Sequence, residues 1–312
     1  MGFTSSLMPA VSVIIPAYGH AEYILQTLDS VFLQTFTDYE VIVINDGSPD
    51  NTGEVLRPLV EEGRIRYFEH ANQGVASTRN FGISQAKGEF IALLDDDDLW
   101  LPDKLEWQVA AMGDPALVAV GGEAEYLTPH GIERERPITG NVEDLELKDF
   151  FEGNPFNSPG QVMFRKSAFE NGARFDPAIW GADDLDFWME LTQHGTVRKV
   201  SQLCLRYRIH DSNASRNHLG MMLNIRKAID KRLRTVPADQ FEACRRAGYR
   251  WLYEGYATGL IWNVKACFFS GKPQILAGMS ISLALARTFT APLFHDGWIR
   301  RSLARKFLHA FR

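Results

Sequence analysis

The sequence predicts an open α/β sheet, and three observations carry that prediction. Short apolar, β-branched runs recur at 11–16 (VSVIIP), 40–45 (EVIVIN), 65–69 (IRYFE) and 89–94 (EFIALL). They end on turn chemistry and lack strict alternation, the pattern of strands buried on both faces, as in a parallel sheet. Between them lie helix-like stretches at about 21–35, 51–62 and 75–87. Strand and helix therefore alternate over the first hundred residues, as right-handed crossovers require. In such sheets the ligand sits beyond the carboxyl ends of the strands, so the residues that follow each run are the ones to read for chemistry.

The later elements are mixed. Residues 101–112 read as a helix opened by Pro102, 117–121 as a strand, and 131–154 as a polar, irregular stretch. Residues 159–165 resemble a strand, 183–194 a helix and 197–208 one or two strands, while the chain beyond Ser215 looks helical and basic. There is no internal repeat or low-complexity segment.

With 312 residues, 45% of them apolar, the chain is long enough for a large domain with an appendage or for two domains. That composition excludes disordered, collagenous and disulfide-dense classes. Three scattered cysteines (Cys204, Cys244 and Cys267) without a CxxC spacing fit a reducing compartment and argue against a zinc or thiol site. The first ten residues lack the basic start and long apolar run of a signal peptide, so a cytoplasmic location is expected. The net charge of −6 conceals a division. Residues 1–215 hold 16 Lys and Arg against 34 Asp and Glu, whereas 216–312 hold 17 against 5. An acidic body with a basic tail implies that the two parts meet different things, unless they simply attract each other.

The strand ends form a set. The first runs into Pro16-Ala17-Tyr18, the second into Asn45-Asp46-Gly47-Ser48 and the fourth into Asp95-Asp96-Asp97-Asp98. Four consecutive carboxylates after a buried strand repel one another, and a divalent cation offsets that repulsion. Hard oxygen ligands suit Mg²⁺ or Mn²⁺ bridging the phosphates of a nucleotide; a solvated acidic loop is the plainer alternative. Asp46 sits in an ordinary turn sequence, or else accepts a hydrogen bond from a pyrimidine imide. Asn72-Gln73-Gly74 opens a helix carrying Arg79 and Asn80. Small residues there allow close approach, and a helix N-terminus favours an anion; a capped surface helix explains the same residues. In Trp180-Gly181-Ala182-Asp183-Asp184 the acids cap a helix, or a buried carboxylate serves as base for a sugar hydroxyl. His210 closes the last strand of this half, in Tyr207-Arg208-Ile209-His210.

Taken in order, VSVIIPAY, VINDGSPDNT, NQGVASTRNFGISQAKGEFIALLDDDDLW, GADDLDFWMEL and YRIHDSNAS resemble the family-2 inverting glycosyltransferases over about residues 10–215. The resemblance implies a GT-A fold, a Rossmann-like mixed sheet, with a nucleotide-binding half (about 10–120) and an acceptor-binding half (121–215). A basic, mainly helical region follows over 216–312. It implies that Pro16, Ala17, Tyr18, Asp46, Gly74 and Arg79 line the nucleotide, and that Asp95 and Asp97 form the D-x-D motif that holds Mn²⁺ or Mg²⁺. By the same resemblance Asp96 touches the donor, Asp184 is the catalytic base, Asp183 and Trp180 meet the donor sugar or acceptor, and His210 completes the metal's ligands. The substrates implied are a nucleotide-diphosphate sugar, with UDP or dTDP favoured by Asp46, and a saccharide or lipid-linked acceptor in cell-surface polysaccharide or glycolipid assembly.

In the tail, Ile299, Leu303, Phe307 and Phe311 share a helical face, with Arg301, Arg305 and Arg312 largely opposite. Such a basic amphipathic helix reads as a contact with the inner membrane surface, or as packing on the catalytic domain or a homodimer contact. The uncharged stretch 274–286 falls short of the roughly 20 residues needed to span a bilayer. A sugar-nucleotide pyrophosphorylase would need a Gly-rich basic loop after the first strand, which PAYGHAEY lacks. A non-catalytic nucleotide-sugar-binding or scaffold protein remains the alternative function. No nucleic-acid reader module is present.

Overall fold

The computed structural model describes residues 8–134 and 137–269. They fall into two compact units, one formed by residues up to 147 together with 154–211, the other by 148–153 and residues from 212 onward.

In the first unit, β1 (Val11–Ala17), α1 (Ile24–Phe32), β2 (Tyr39–Asn45), α2 (Thr52–Glu61), β3 (Arg66–Glu69), α3 (Val75–Gln85) and β4 (Phe90–Leu93) alternate as expected. β5 (Leu99–Trp100), α4 (Lys104–Ala111), β6 (Leu117–Thr128), β7 (Gly131–Glu133), β8 (Val142–Leu145), β9 (Val162–Arg165), α5 (Lys166–Glu170), α6 (Asp183–Leu191) and β10 (Thr196–Arg208) follow. One sheet runs in the order β3-β2-β1-β4-β9-β6-β10-β5, with β7 on β6 and β8 on β10. The β3-β2-β1-β4 portion is parallel. β9 then enters antiparallel to both β4 and β6, so the sheet is mixed.

β1 shows why these strands read as unbroken apolar runs. Val11, Val13 and Ile15 join one cluster with Ile24, Leu28 and Val31 of α1 and Leu56 of α2. Ile14 faces the other way, toward α3. With helices on both faces, no position of β1 is left for a polar side chain other than Ser12, whose hydroxyl bonds Glu40. α3 approaches closely because Gly82 has no side chain: a Cβ there would lie 2.5 Å from Ile14 Cγ2 and 2.6 Å from Ile44 Cδ1. Gly82→Val should therefore destabilise the protein by about 1–3 kcal/mol through overpacking. Urea denaturation checks this, and unchanged stability would contradict the contact.

The structure settles what the sequence pattern left open over 131–154 and 196–208 and adds a short strand at 99–100. The polar stretch 131–154 contains β7 and β8 as well as a three-residue 3-10 helix at Asp149–Phe151. Residues 196–208 form one bulged strand, with register shifts around Leu203. β5, two residues long, pairs Trp100 with Leu205 and Leu99 with Arg206.

The second unit pairs α7 (His218–Arg232) with α8 (Phe241–Phe269). The Asn217 side chain accepts the Gly220 N–H at 2.9 Å and caps α7. Gly248 lies against Ile229 and Phe151, and Tyr249 hydrogen-bonds Asp230. Cys204 and Cys244 are buried free thiols. Among the described residues no helix is long and apolar enough to cross a membrane. The stretches 274–286 and 298–312 lie outside the described residues.

Candidate functional site

The acidic run after β4 is a fastened turn. The Asp98 N–H donates to the Asp95 carbonyl at 3.3 Å. From α1, the Thr27 hydroxyl donates to the carbonyls of Asp96 (3.0 Å) and Asp98 (2.9 Å), and from the end of β10 the Arg208 Nε donates to the Asp97 carbonyl at 2.7 Å. Asp98 completes the anchorage. Its buried carboxylate accepts the Arg208 N–H at 2.9 Å and the Ser158 hydroxyl at 2.8 Å. Burial, reinforced by Asp97, raises its pKa well above the usual carboxylate range. The turn's backbone is thus committed to the scaffold, and the other three carboxylates are held in set directions.

Those directions differ. Asp96 accepts the Tyr18 N–H and the His20 Nδ1–H, each at 2.8 Å. The hydrogen bond to Asp96, with the charges of Asp97 and Asp95 behind it, pushes the His20 pKa up to about 9 against the opposing effect of burial. Burial raises Asp96 to about 6. Asp97 meets His210 Nε2 at 2.8 Å. Donor atoms of His20, Asp97 and His210 all lie within 4.8 Å of one another, a group able to hold a metal ion. One oxygen of Asp95 pairs with Arg79 at 2.6 Å. The sequence groups Asp95, Asp97 and His210 as metal ligands; in the structure Asp97 and His210 come together with His20, and one oxygen of Asp95 is paired with Arg79.

Arg79 is the hub of the second constellation. It is 4% exposed, and its two terminal nitrogens bond Asp95 and Asp183, each at 2.6 Å. The two carboxylates hold its pKa above even the ordinary guanidinium value, against burial. Asn80 clamps the backbone of Phe175 through both its N–H and its carbonyl, and Phe175 stacks on Phe187 of α6 with centroids 4.0 Å apart. These contacts tie α3 to the start of α6. The sequence assigns Arg79 to the nucleotide; the structure commits both of its terminal nitrogens to carboxylates.

At the start of α6, Asp183 and Asp184 have different surroundings. Asp183 is 2% exposed and locked to Arg79; burial raises its pKa. Asp184 is half-buried and, among the described residues, accepts the Leu185 N–H at 2.7 Å and a long 3.3 Å contact from Asn154. Burial and the neighbouring Asp183 charge raise its pKa to about 7. A carboxylate poised near neutrality is suited to proton abstraction. Trp180, 43% exposed, precedes it across Gly181 in the left-handed region (φ +71°).

The remaining predicted residues lie at the strand ends. Pro16 and Ala17 are buried in β1, paired with Ile44 and Asn45, so of this trio only Tyr18 presents a side chain at the surface. Asp46 accepts the Gln73 N–H at 2.8 Å and the Gly74 N–H at 3.0 Å, with His70 Nδ1 at 3.2 Å. It fastens the entry to α3 through Gly74 (φ +84°). A cavity of about 410 Å³ opens nearby, lined by Asn45, Ser48, Asp50, Arg57, Tyr67 and Glu69 among others; none of the predicted site residues lines it. His20, Thr27 and Ser158 are participants that the sequence pattern did not single out. The signal available for His20 was its place just beyond the first strand, at the same sheet edge as the other acids.

Residues 12–172 match the family described as Glycosyl transferase family 2. The chain is 32% identical over 222 residues, 69% of its length, to a hyaluronan synthase of Pasteurella multocida, and spans 22% of that protein. It spans 29% and 33% of two other curated relatives, both glycosyltransferases. Among solved structures, S. aureus TarS 1–349 in complex with UDP-GlcNAc aligns with a TM-score of 0.64 at 18% identity, covering 79% of this chain and 72% of that one. The mannosyltransferase PcManGT of Pyrobaculum calidifontis, in complex with GDP-Man and Mn²⁺, aligns with a TM-score of 0.59 at 19% identity, covering 98% and 88%. The fold is thus that of the GT-A-like glycosyltransferases.

Proposed function

Because the chain belongs to glycosyl transferase family 2, we propose that it transfers a sugar from a nucleotide-diphosphate donor to an acceptor hydroxyl with inversion, using Asp184 as the base. One observation carries this reading above the others. Of the two adjacent acids at the start of α6, Asp183 is consumed by an ion pair with Arg79, while Asp184 is half-buried with its pKa raised to about 7 by burial.

In this reading Asp184 takes the proton of the acceptor hydroxyl as its oxygen attacks the anomeric carbon and the bond to the diphosphate breaks. One displacement inverts the configuration, and positioning with electrostatics supplies most of the rate. Arg79 holds Asp183 and Asp95 in place, so that the base and the acidic turn keep a fixed relation. The donor set of the turn, a carboxylate with imidazole, fits a divalent cation. Asp97 and His210 would hold Mn²⁺ or Mg²⁺, whose chemistry when bound is to neutralise charge on the departing diphosphate. Tyr18, Asp46, Gly74 and Asp96 frame the nucleotide side of this site, with Trp180 on the sugar or acceptor side.

A carboxylate offers about four acceptor sites, so Asp46 keeps capacity beyond Gln73, Gly74 and His70, which supports a uridine or thymidine donor. The relation to a hyaluronan synthase supports a saccharide or lipid-linked acceptor in polysaccharide or glycolipid assembly. Asp97→Ala should abolish the metal-dependent part of donor binding, measured by calorimetric titration of the full chain with UDP-sugars in the presence and absence of Mn²⁺. Unchanged affinity would remove Asp97 from the site. Adding saccharide acceptors to the same panel separates catalysis from mere binding, since a non-catalytic protein would bind the donor but neither transfer its sugar nor release the nucleoside diphosphate.

A further inference from the structure

We infer that His20 is a ligand of the metal site, oriented by Asp96, and that the resulting pair of imidazoles makes the site prefer Co²⁺ or Zn²⁺ to Mg²⁺. The inference rests on the reading of the acidic turn as a metal site, and adds to it a third protein ligand and a selectivity.

Geometry comes first. Around an ion with ligand distances of about 2.1 Å, adjacent ligand atoms lie about 3 Å apart and opposite ones about 4 Å. Asp97 Oδ2 and His210 Nε2 are 2.8 Å apart, the spacing of adjacent ligands. A ring nitrogen of His20 lies within 4.8 Å of both, so a modest side-chain adjustment would close all three residues on one ion.

The second argument is the treatment of the His20 ring. Its Nδ1 is taken by Asp96 Oδ1 at 2.8 Å, so Nε2 is the nitrogen that would ligate, releasing its proton as the ion binds. A metal-binding histidine regularly donates its other N–H to a carboxylate, which fixes the tautomer and the ring direction. Asp96 is held in turn by the Tyr18 N–H at 2.8 Å, so this outer support is anchored to β1. The rings are also packed against one another. His20 and His210 meet edge to face with centroids 5.1 Å apart, and Tyr23 lies 5.2 Å from His210 and 6.1 Å from His20. Asp95, the oxygen donor that a Mg²⁺ site would use, has one oxygen paired with Arg79 at 2.6 Å. Two nitrogens and one carboxylate suit the later first-row ions, whereas Mg²⁺ favours an all-oxygen shell.

The test uses the full chain loaded with Mn²⁺ alone and reads the ligand nitrogens directly by electron spin echo envelope modulation. The expected spectrum shows two imidazole nitrogens in the wild type and one in His20→Ala, together with at least a tenfold loss of Mn²⁺ affinity by calorimetry. Co²⁺ should bind the wild type at least tenfold more tightly than Mg²⁺. One imidazole in the wild type, lost in His210→Ala but not in His20→Ala, would overturn the role of His20 while leaving Asp97 and His210 as the metal site. Equal affinities for Co²⁺ and Mg²⁺ would overturn the selectivity. If Asp97→Ala binds Mn²⁺ as the wild type does, the metal site itself is misplaced, and both readings fail together. The wild-type spectrum decides the role of His20 even if a variant does not fold.

Discussion

Asp184→Asn is expected to lower turnover by about 10²–10⁴-fold, the usual contribution of a positioned general base, with donor affinity and thermal midpoint close to the wild type. The amide has nearly the shape of the carboxylate and can still accept the Leu185 N–H, so the fold should tolerate the change. It cannot accept a proton. The pH dependence gives the same residue a second signature. A carboxyl with its pKa raised to about 7 is neutral, and idle as a base, below that value. kcat/KM of the wild type should therefore climb as pH rises through about 7 and level off above it. A rise centred near 4 would mean that an ordinary exposed carboxylate is the base, and an active Asp184→Asn enzyme would remove Asp184 from the role altogether.

The second large effect is structural. Arg79→Ala strips both Asp183 and Asp95 of their partner. Asp183 is then a buried carboxylate with no opposite charge, and breaking a buried pair from one side costs about 3–5 kcal/mol, a large share of the stability of a typical domain. The loss should depend on pH with a definite sign. Removing Arg79 raises the folded-state pKa of Asp183 further above its unfolded value. The penalty is therefore absent at pH values below the unfolded pKa and grows as pH rises through the folded one. Arg79→Ala should be nearer to wild-type stability at pH 5 than at pH 8, and Arg79→Lys, which keeps the charge but not the two-pronged geometry, should fall between. Urea denaturation at the two pH values checks both statements. A loss below 1 kcal/mol at pH 8 would mean that the bridge does not hold the start of α6.

What the sequence made legible was local. The apolar runs at 11–16, 40–45 and 89–94 announce strands covered on both faces, and helices do cover β1 on both sides. The acids at 95–98 and 183–184 stand out because carboxylates are rare beside buried runs. The illegible parts depend on partners distant in the chain. The stretch Val162–Arg165 reads the same whether it pairs parallel or antiparallel, so its insertion against β4 and β6 leaves no local trace. β5 is too short to carry a period. Arg79 is 104 residues from Asp183, and its guanidinium bonds that carboxylate and Asp95 from inside the protein, a choice no spacing rule reveals. The same holds within the acidic run. Four consecutive residues look equivalent as letters, yet Asp95 serves Arg79, Asp96 serves His20, Asp97 meets His210 and Asp98 anchors the turn to β10.

The most direct test of single-displacement transfer at Asp184 is the anomeric configuration of the product formed in the first turnovers, read by proton NMR with an α-linked UDP-sugar, Mn²⁺ and a saccharide acceptor. A β-linked product that disappears in Asp184→Asn is the predicted result. An α-linked product from the wild type would contradict the account, because retention requires a second displacement or a front-face route that a lone base at Asp184 does not provide.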